Sequence, residues 1–328
     1  MVEAQRPAVD DSVEPAVDGE VEISVVIPVY NGERSLPELL DRIRSVLADR
    51  GRPFEIVLVN DSSSDESWSV IRGEAREHVE TRGLSLSRNY GQHNALLAGI
   101  LDARGSVIVT MDDDLEHRPE ELPLLLDALT ADIDLVYGYP ADEVHGLLRD
   151  LSSRLVKASM AGVLGEDVSR HLSAFRVFRS DLTEAFSSNR DPFVSLDVLL
   201  SWATTKVLTI EVVMDPRRYG ASNYSFRTLL RHAINMITGY SSLPLRLVSY
   251  TGFGFALFGM ALLAYVVINA LIRQESVPGF GFLAASIALF SGAQLFALGM
   301  LGEYLGRMHF RSMGRPVFVV RERVGHVP

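Results

Sequence analysis

The chain has 328 residues, 47% of them hydrophobic, no cysteine, and a formal net charge of −11. A disulfide framework and a thiolate metal site are therefore excluded, no nucleic-acid partner is expected, and the mean hydropathy of +0.15 is high for a wholly soluble protein. The charge is uneven: residues 1–22 hold seven acids against Arg6, a net −6, which leaves about −5 for the remainder.

In chain order, residues 1–21 are rich in Pro, Asp, Glu and Ala and read as a disordered acidic tail. They lack a basic n-region and an apolar h-region, so no signal peptide is expected. Ile23 to Val29 reads as a first strand, and Tyr30-Asn31-Gly32-Glu33 as a turn. Ser35 with Glu38 has the pattern of a capping box, opening a helix in which Leu36, Leu39, Leu40, Ile43 and Leu47 follow helical spacing. Phe54 to Val59 is a second strand, ending in Asn60-Asp61-Ser62-Ser63-Ser64-Asp65. Asp65 is placed to cap the helix containing Trp68 and Ile71. Gly83 to Leu86 forms a third strand, and Arg88-Asn89-Tyr90-Gly91 opens a helix through Leu96 and Ile100. Val107 to Met111 is the fourth strand, Asp134 to Gly138 the fifth, and Ser173 to Phe178 another. Strands alternating with helices predict an α/β fold with a largely parallel sheet, in which the recurring strand ends gather on one edge.

The fourth strand ends in Asp112-Asp113-Asp114-Leu115-Glu116-His117-Arg118-Pro119. Open α/β sheets bind ligands at the carboxyl ends of their strands. Four carboxylates within five residues call for a positive partner, most simply a divalent cation carrying a phosphorylated ligand. In extended chain Asp112, Asp114 and Glu116 point to one side. The competing reading is an acidic helix N-terminus, since Pro119, Glu120 and Glu121 suit a first turn; it explains the later acids and leaves Asp112 and Asp114 unexplained.

After residue 140 the pattern loosens. His145 to Leu164 reads as a helix with an apolar stripe and with Arg149, Arg154 and Lys157. Arg217-Arg218-Tyr219-Gly220-Ala221-Ser222-Asn223-Tyr224 is a basic loop, and 226–246 reads as an amphipathic helix leading to a bilayer. Residues 247–272 and 276–302 are uncharged runs of 26 and 27 residues, each longer than the ~20 needed to cross the hydrocarbon core. Arg227, Arg231 and Arg246 precede the first run; Arg307, Arg311, Arg315, Arg321 and Arg323 follow the second. The positive-inside rule puts both ends in the cytoplasm, with 303–328 as a cytoplasmic tail containing a short strand at Pro316 to Val320.

The pieces VVIPVYNGE, VNDSSSD, SRNYGQHNALLAG, MDDDLEHRPEELP, FRVF and RRYGASNYSF, followed by the paired apolar runs, stand in an order that resembles the polyprenyl-phosphate glycosyltransferases of the dolichol-phosphate mannose synthase type. The resemblance covers about residues 22–310 and is nearest to the bacterial branch with two C-terminal membrane helices. It implies a GT-A (Rossmann-like, mostly parallel sheet) domain over 22–225 followed by two transmembrane helices in the inner membrane. It further implies inverting transfer of one sugar from a UDP- or GDP-sugar to undecaprenyl phosphate at the cytoplasmic face, and a homo-oligomer such as a tetramer.

By the same resemblance, Pro28, Tyr30, Glu33 and Asp61 would bind the nucleoside, although turn chemistry alone also accounts for Pro28 and Tyr30. Asp112 would sit by the ribose or the metal. Asp114 and Glu116 would hold Mg2+ or Mn2+ on the diphosphate, and Asp112, Asp113 and Asp114 together form the catalytic acidic group. Arg217 or Arg218, with Ser222, would contact the diphosphate or the acceptor phosphate; an Arg pair facing the membrane is the alternative. The chain departs from the family where Glu116 replaces Gln, Ser62 replaces Gly, Gln92-His93 replaces Lys-Glu, Asn223 replaces Lys and Ala174 replaces Asp. A polysaccharide synthase is disfavoured because Trp202 is not preceded by Arg and only two runs are long enough to span. A catalytically silent nucleotide-binding scaffold or sensor is disfavoured by the intact acids.

Overall fold

The computed structural model describes residues 21–140, 171–187, 195–216, 243–273 and 279–325. The strands are β1 (Ile23–Val29), β2 (Phe54–Asn60), β3 (Thr81–Leu86), β4 (Val107–Thr110), β5 (Leu135–Pro140), β6 (Arg176–Arg179), β7 (Val207–Val212) and β8 (Val320–Val324). The helices are α1 (Leu36–Ala48), α2 (Ser67–Glu77), α3 (Gln92–Asp102), α4 (Leu122–Ala128), α5 (Glu184–Ser187), α6 (Leu196–Ala203), α7 (Leu243–Arg273) and α8 (Phe280–Ser312).

The eight strands form one sheet in the order β7-β5-β6-β4-β1-β2-β3-β8. β6 and β8 run against the others, and every other pairing is parallel. β1 is buried along its whole length, so its side chains feed both faces. Val25, Ile27 and Val29 meet Leu36, Leu39, Leu40 and Ile43 of α1, Ile71 of α2 and Leu122 and Leu125 of α4. Val26, with Val57 and Val59 of β2, meets Ala95 to Ile100 of α3, Phe186 of α5 and Leu196, Leu199 and Leu200 of α6. The result is a three-layer α/β domain, as the strand–helix alternation predicts.

Several local expectations change. The capping box at Ser35 does not form; its hydroxyl donates to the Gly32 carbonyl at 3.1 Å instead, tightening the turn before α1. β6 begins at Arg176, because the Ser173 hydroxyl takes the Phe175 N–H at 3.1 Å and keeps the residues before it in a turn. The last strand lies at Val320–Val324 rather than Pro316 to Val320. Val317 and Phe318 instead pack against the core, and β8 joins the sheet beside β3. Trp68 donates from Nε1 to Glu322 at 3.1 Å, and Arg323 pairs with Asp102.

α7 and α8 have 31 and 33 residues, about 46 and 50 Å at 1.5 Å per residue. They touch through an edge-to-face pair, Phe255 and Phe290, at 5.9 Å. Among the described residues alone no helix is long and apolar enough to cross a membrane. Side chains at several positions within both helices fall outside that description, whereas the complete sequence is uncharged over 247–272 and 276–302. The acidic tail over 1–20, the expected helix over His145 to Leu164, and the basic loop with Arg217, Arg218 and Ser222 lie outside the described residues, as does 226–242 of the expected amphipathic helix.

Candidate active site

The site is built where β1, β2, β3 and β4 end. β4 pairs with β1 only as far as Val26↔Thr110, and the chain then leaves the sheet as the acidic loop. Pro28 is buried in β1 two residues further on. It is on the side of β1 that would face β4, and since β4 has stopped pairing there, the missing N–H removes no ladder bond.

The turn after β1 is fastened by side chains from its neighbours. The Tyr30 N–H donates to Asp113 at 3.2 Å, the Asn31 N–H to Ser63 at 3.0 Å, the Gly32 N–H to Ser67 at 2.9 Å and the Glu33 N–H to Asp65 at 3.1 Å. Glu33 in return accepts the Glu66 N–H at 3.0 Å, and Asn31 accepts the Ser64 N–H at 2.9 Å. Asp65 does not cap α2, whose N-cap is Glu66 with no side-chain capping bond; it accepts the N–H and hydroxyl of Ser67 and anchors the first turn as well. Tyr30 is left 52% exposed over this rigid turn.

Asp61 is buried, and its two oxygens accept the Tyr90 and Gly91 N–H groups at 2.7 and 2.8 Å. Burial raises its carboxyl above the ordinary value while these two donors pull it back. It therefore ties the end of β2 to the loop after β3. Among the described residues, three other than glycine take the left-handed conformation: Asn31, Ser62 and Leu115, with φ of 58°, 58° and 64°. All three lie in these strand-end loops, where local strain concentrates at functional sites. At Ser62 the conformation is one that glycine adopts more easily, so the Gly-to-Ser departure keeps the turn at a steric cost.

The acidic loop is not extended. Residues 113–115 form a bend, and the Glu116 N–H turns back to Asp114 Oδ1 at 3.1 Å. The period-two reading of Asp112, Asp114 and Glu116 is thereby corrected: left-handed Leu115, fully buried as a core anchor, breaks the alternation. Asp113 points back under the first turn. Only part of the residue meets solvent, and its carboxyl is enclosed by the turn; desolvation pushes its pKa up to about 7, against the Tyr30 N–H and with the help of Asp112 and Asp114. Asp112 and Asp114 stay partly exposed at the sheet edge. Gln92 Nε2 donates to Asp112 at 2.6 Å. Among the described residues no three His, Asp or Glu side chains gather as a metal-holding set.

Sequence reasoning missed Gln92 and His117, whose Nδ1 accepts the Asp112 N–H at 3.1 Å. It also missed a group beneath the edge. Arg176, 2% exposed, lies 3.2 Å from Asp197 and 5.7 Å from the Tyr137 ring centre, and the Tyr137 hydroxyl donates to Asp197 at 3.1 Å. These residues come from β5, β6 and α6, and nothing in their spacing announces that they meet. Ala174 gives only its carbonyl, to the Thr110 hydroxyl at 2.8 Å.

A family model described as glycosyl transferase family 2 matches residues 24–182. The chain is 36% identical to the undecaprenyl-phosphate 4-deoxy-4-formamido-L-arabinose transferase of Pseudomonas aeruginosa over 309 residues, covering 93% of this chain and 91% of that one. It is 33% identical to the transferase of the same description from Photorhabdus laumondii, covering 92% and 94%. Among solved structures, glucosyl-3-phosphoglycerate synthase from Mycobacterium tuberculosis, in complex with Mn2+ and UDP-glucose, shares the fold at a TM-score of 0.50 and 19% identity over 66% of this chain and 77% of that one.

Proposed function

The chain belongs to the polyprenyl-phosphate glycosyltransferases of glycosyl transferase family 2, and we propose that it transfers a single sugar, with inversion, from a nucleotide-sugar donor to undecaprenyl phosphate. One observation carries this reading: the similarity to undecaprenyl-phosphate sugar transferases spans 93% of the chain. The share left over is about 23 residues, fewer than the 33 of α8, so the likeness takes in the helical pair as well as the catalytic sheet.

In this reading the donor nucleoside lies over the Tyr30 turn, with the diphosphate toward Asp112 and Asp114. Mg2+ and Mn2+ favour one or two carboxylates together with substrate phosphates over an all-protein cage. Two partly exposed aspartates, with Glu116 beside them and a held Asp113 behind, fit that demand. A divalent cation bound there would neutralise charge on the departing nucleoside diphosphate. The Asp215 N–H donates to the Glu116 carbonyl at 2.9 Å, and His117 bridges to Met214. That segment leads directly into Arg217 and Arg218, which supports their assignment, with Ser222, to the diphosphate or the acceptor phosphate.

The acceptor's phosphate oxygen attacks the anomeric carbon as the bond to the nucleoside diphosphate breaks. The paired uncharged runs would span the inner membrane, with the arginines around them holding both ends on the cytoplasmic side. The test is a panel of UDP- and GDP-sugars assayed on membranes with undecaprenyl phosphate. One donor should give a sugar-phosphate lipid together with nucleoside diphosphate. Asp114→Asn should lower kcat by about 10²- to 10³-fold with an unchanged melting temperature, because charge stabilisation in the transition state is lost. No lipid product from any donor, or full turnover in that variant, would reject the reading.

A further inference from the structure

The acidic loop is closed on itself by a histidine. His117 is 5% exposed, and its ring stacks on Phe175 with centroids 5.2 Å apart and planes 18° from parallel. Phe175 is itself fully buried between β5, β6 and α4. The ring therefore has a fixed seat, and its Nδ1 accepts the backbone N–H of Asp112 at 3.1 Å. An accepting Nδ1 places the ring proton on Nε2. The backbone of His117 is fixed too, through its bridge to Met214. The loop between Asp112 and His117 thus has its first residue fastened to its last, with left-handed Leu115 in the bend between them.

We infer that His117 is a positioning residue: through Nδ1 it holds the Asp112 backbone and so sets where the Asp112 and Asp114 carboxylates stand against the donor diphosphate. The inference rests on the donor site proposed above and adds to it a residue that touches no reacting atom. Groups that orient the residues around a charged ligand commonly account for 10- to 100-fold in activity or affinity. The chemistry needed is narrow. The side chain must present an acceptor at the δ position and fit a flat seat against Phe175.

Three variants separate this role from packing. His117→Phe keeps the flat ring and removes the acceptor. His117→Asn keeps an acceptor at the δ position, and His117→Gln moves it one atom further out. Each full-length variant is assayed in membranes for kcat and for donor KM, with thermal melting as a check on folding. As a readout apart from turnover, Mn2+ is titrated in the presence of the nucleoside diphosphate that the native enzyme releases. His117→Phe and His117→Gln should lose about 10- to 100-fold in kcat and a similar factor in Mn2+ affinity. His117→Asn should recover most of both, and binding of the nucleoside diphosphate in chelator should change little. Equal loss in Asn and Gln, or a Phe variant as active as Asn, would overturn the inference. If Phe fails to fold, the Asn–Gln comparison decides alone. A native enzyme that makes no lipid product would sink the donor reading instead, which keeps the two failures apart.

Discussion

At the scale of single residues, three consecutive aspartates have divided into separate tasks. Asp112 and Asp114 stay at the sheet edge, while Asp113 turns inward to accept the Tyr30 N–H at 3.2 Å. Enclosure raises the Asp113 pKa from 3.8 to about 7, so the folded state holds a proton that the unfolded chain has released. A carboxyl raised in this way contributes stability that is complete below pH 4 and is lost as the pH climbs through 7. In chelator, Asp113→Asn keeps an oxygen for Tyr30 and removes the titration. The native chain and the variant should melt together near pH 4 and diverge by pH 8, with the variant the more stable. At about 1.4 kcal/mol per pKa unit the gap is at most on the order of 4 kcal/mol. Calorimetric melts across that range check this, and a gap that does not change with pH would contradict it.

At the scale of elements, the turn between β1 and α1 carries the donor edge, and its geometry depends on close approach. A Cβ on Gly32 would lie 2.5 Å from the Asp113 carboxylate. Gly32→Ala should therefore push Asp113 off the Tyr30 N–H, costing about 1–3 kcal/mol as an overpacking change and weakening nucleotide binding. Adding Asp113→Ala should relieve part of that cost, so a double-mutant cycle should show non-additive stability. Additive losses would mean that the two residues do not meet.

Much of this was legible in the chain. β1 and β2 are runs of β-branched residues buried on both faces, and such runs announce themselves. The helical spacing of Leu36, Leu39, Leu40, Ile43 and Leu47 marked α1 equally well. β7 has no clear local signature because it is an outer strand with a half-exposed pattern, and it becomes a strand by pairing with β5, from which 66 residues separate it in the chain. β8 was misplaced by several residues for a related reason: the apolar Val317 and Phe318 belong to the core contact and the polar Arg321 to Arg323 to the strand. Which of three adjacent aspartates faces inward depends on the left-handed turn at Leu115, a conformation no local pattern predicts for leucine.

At the scale of the whole molecule, the helical pair stands in the chain between β7 and β8, both strands of the one sheet. Its C-terminal end is therefore tied back to the domain by β8, which pairs with β3. Only residues 313–319 separate α8 from β8, a reach of at most about 28 Å. Replacing 243–312 with a flexible linker, while retaining β8, should leave a domain that binds nucleotide normally. It should transfer to undecaprenyl phosphate at least tenfold more slowly, because the effective concentration of site and lipid is lost. Undiminished transfer in that protein would remove anchoring as the purpose of the hairpin.

The chemistry of the acceptor gives the most direct test of the whole. Enzymes that glycosylate a hydroxyl usually position a base to take its proton. Here Ala174 supplies no carboxylate, and Asp197 lies 3.2 Å from Arg176 and accepts the Tyr137 hydroxyl at 3.1 Å. A phosphate monoester has a second pKa of about 6 and already carries a nucleophilic oxygen near neutrality. The decisive measurement compares undecaprenyl phosphate with undecaprenol as acceptors, at saturating donor and at pH values on either side of that pKa, with the lipid product identified by mass. Product should form from the phosphate alone, at a rate that rises through the acceptor's ionisation and then levels. Efficient transfer to undecaprenol would contradict a lipid-phosphate transferase that works without a general base, and Asp113 would be the first residue to examine.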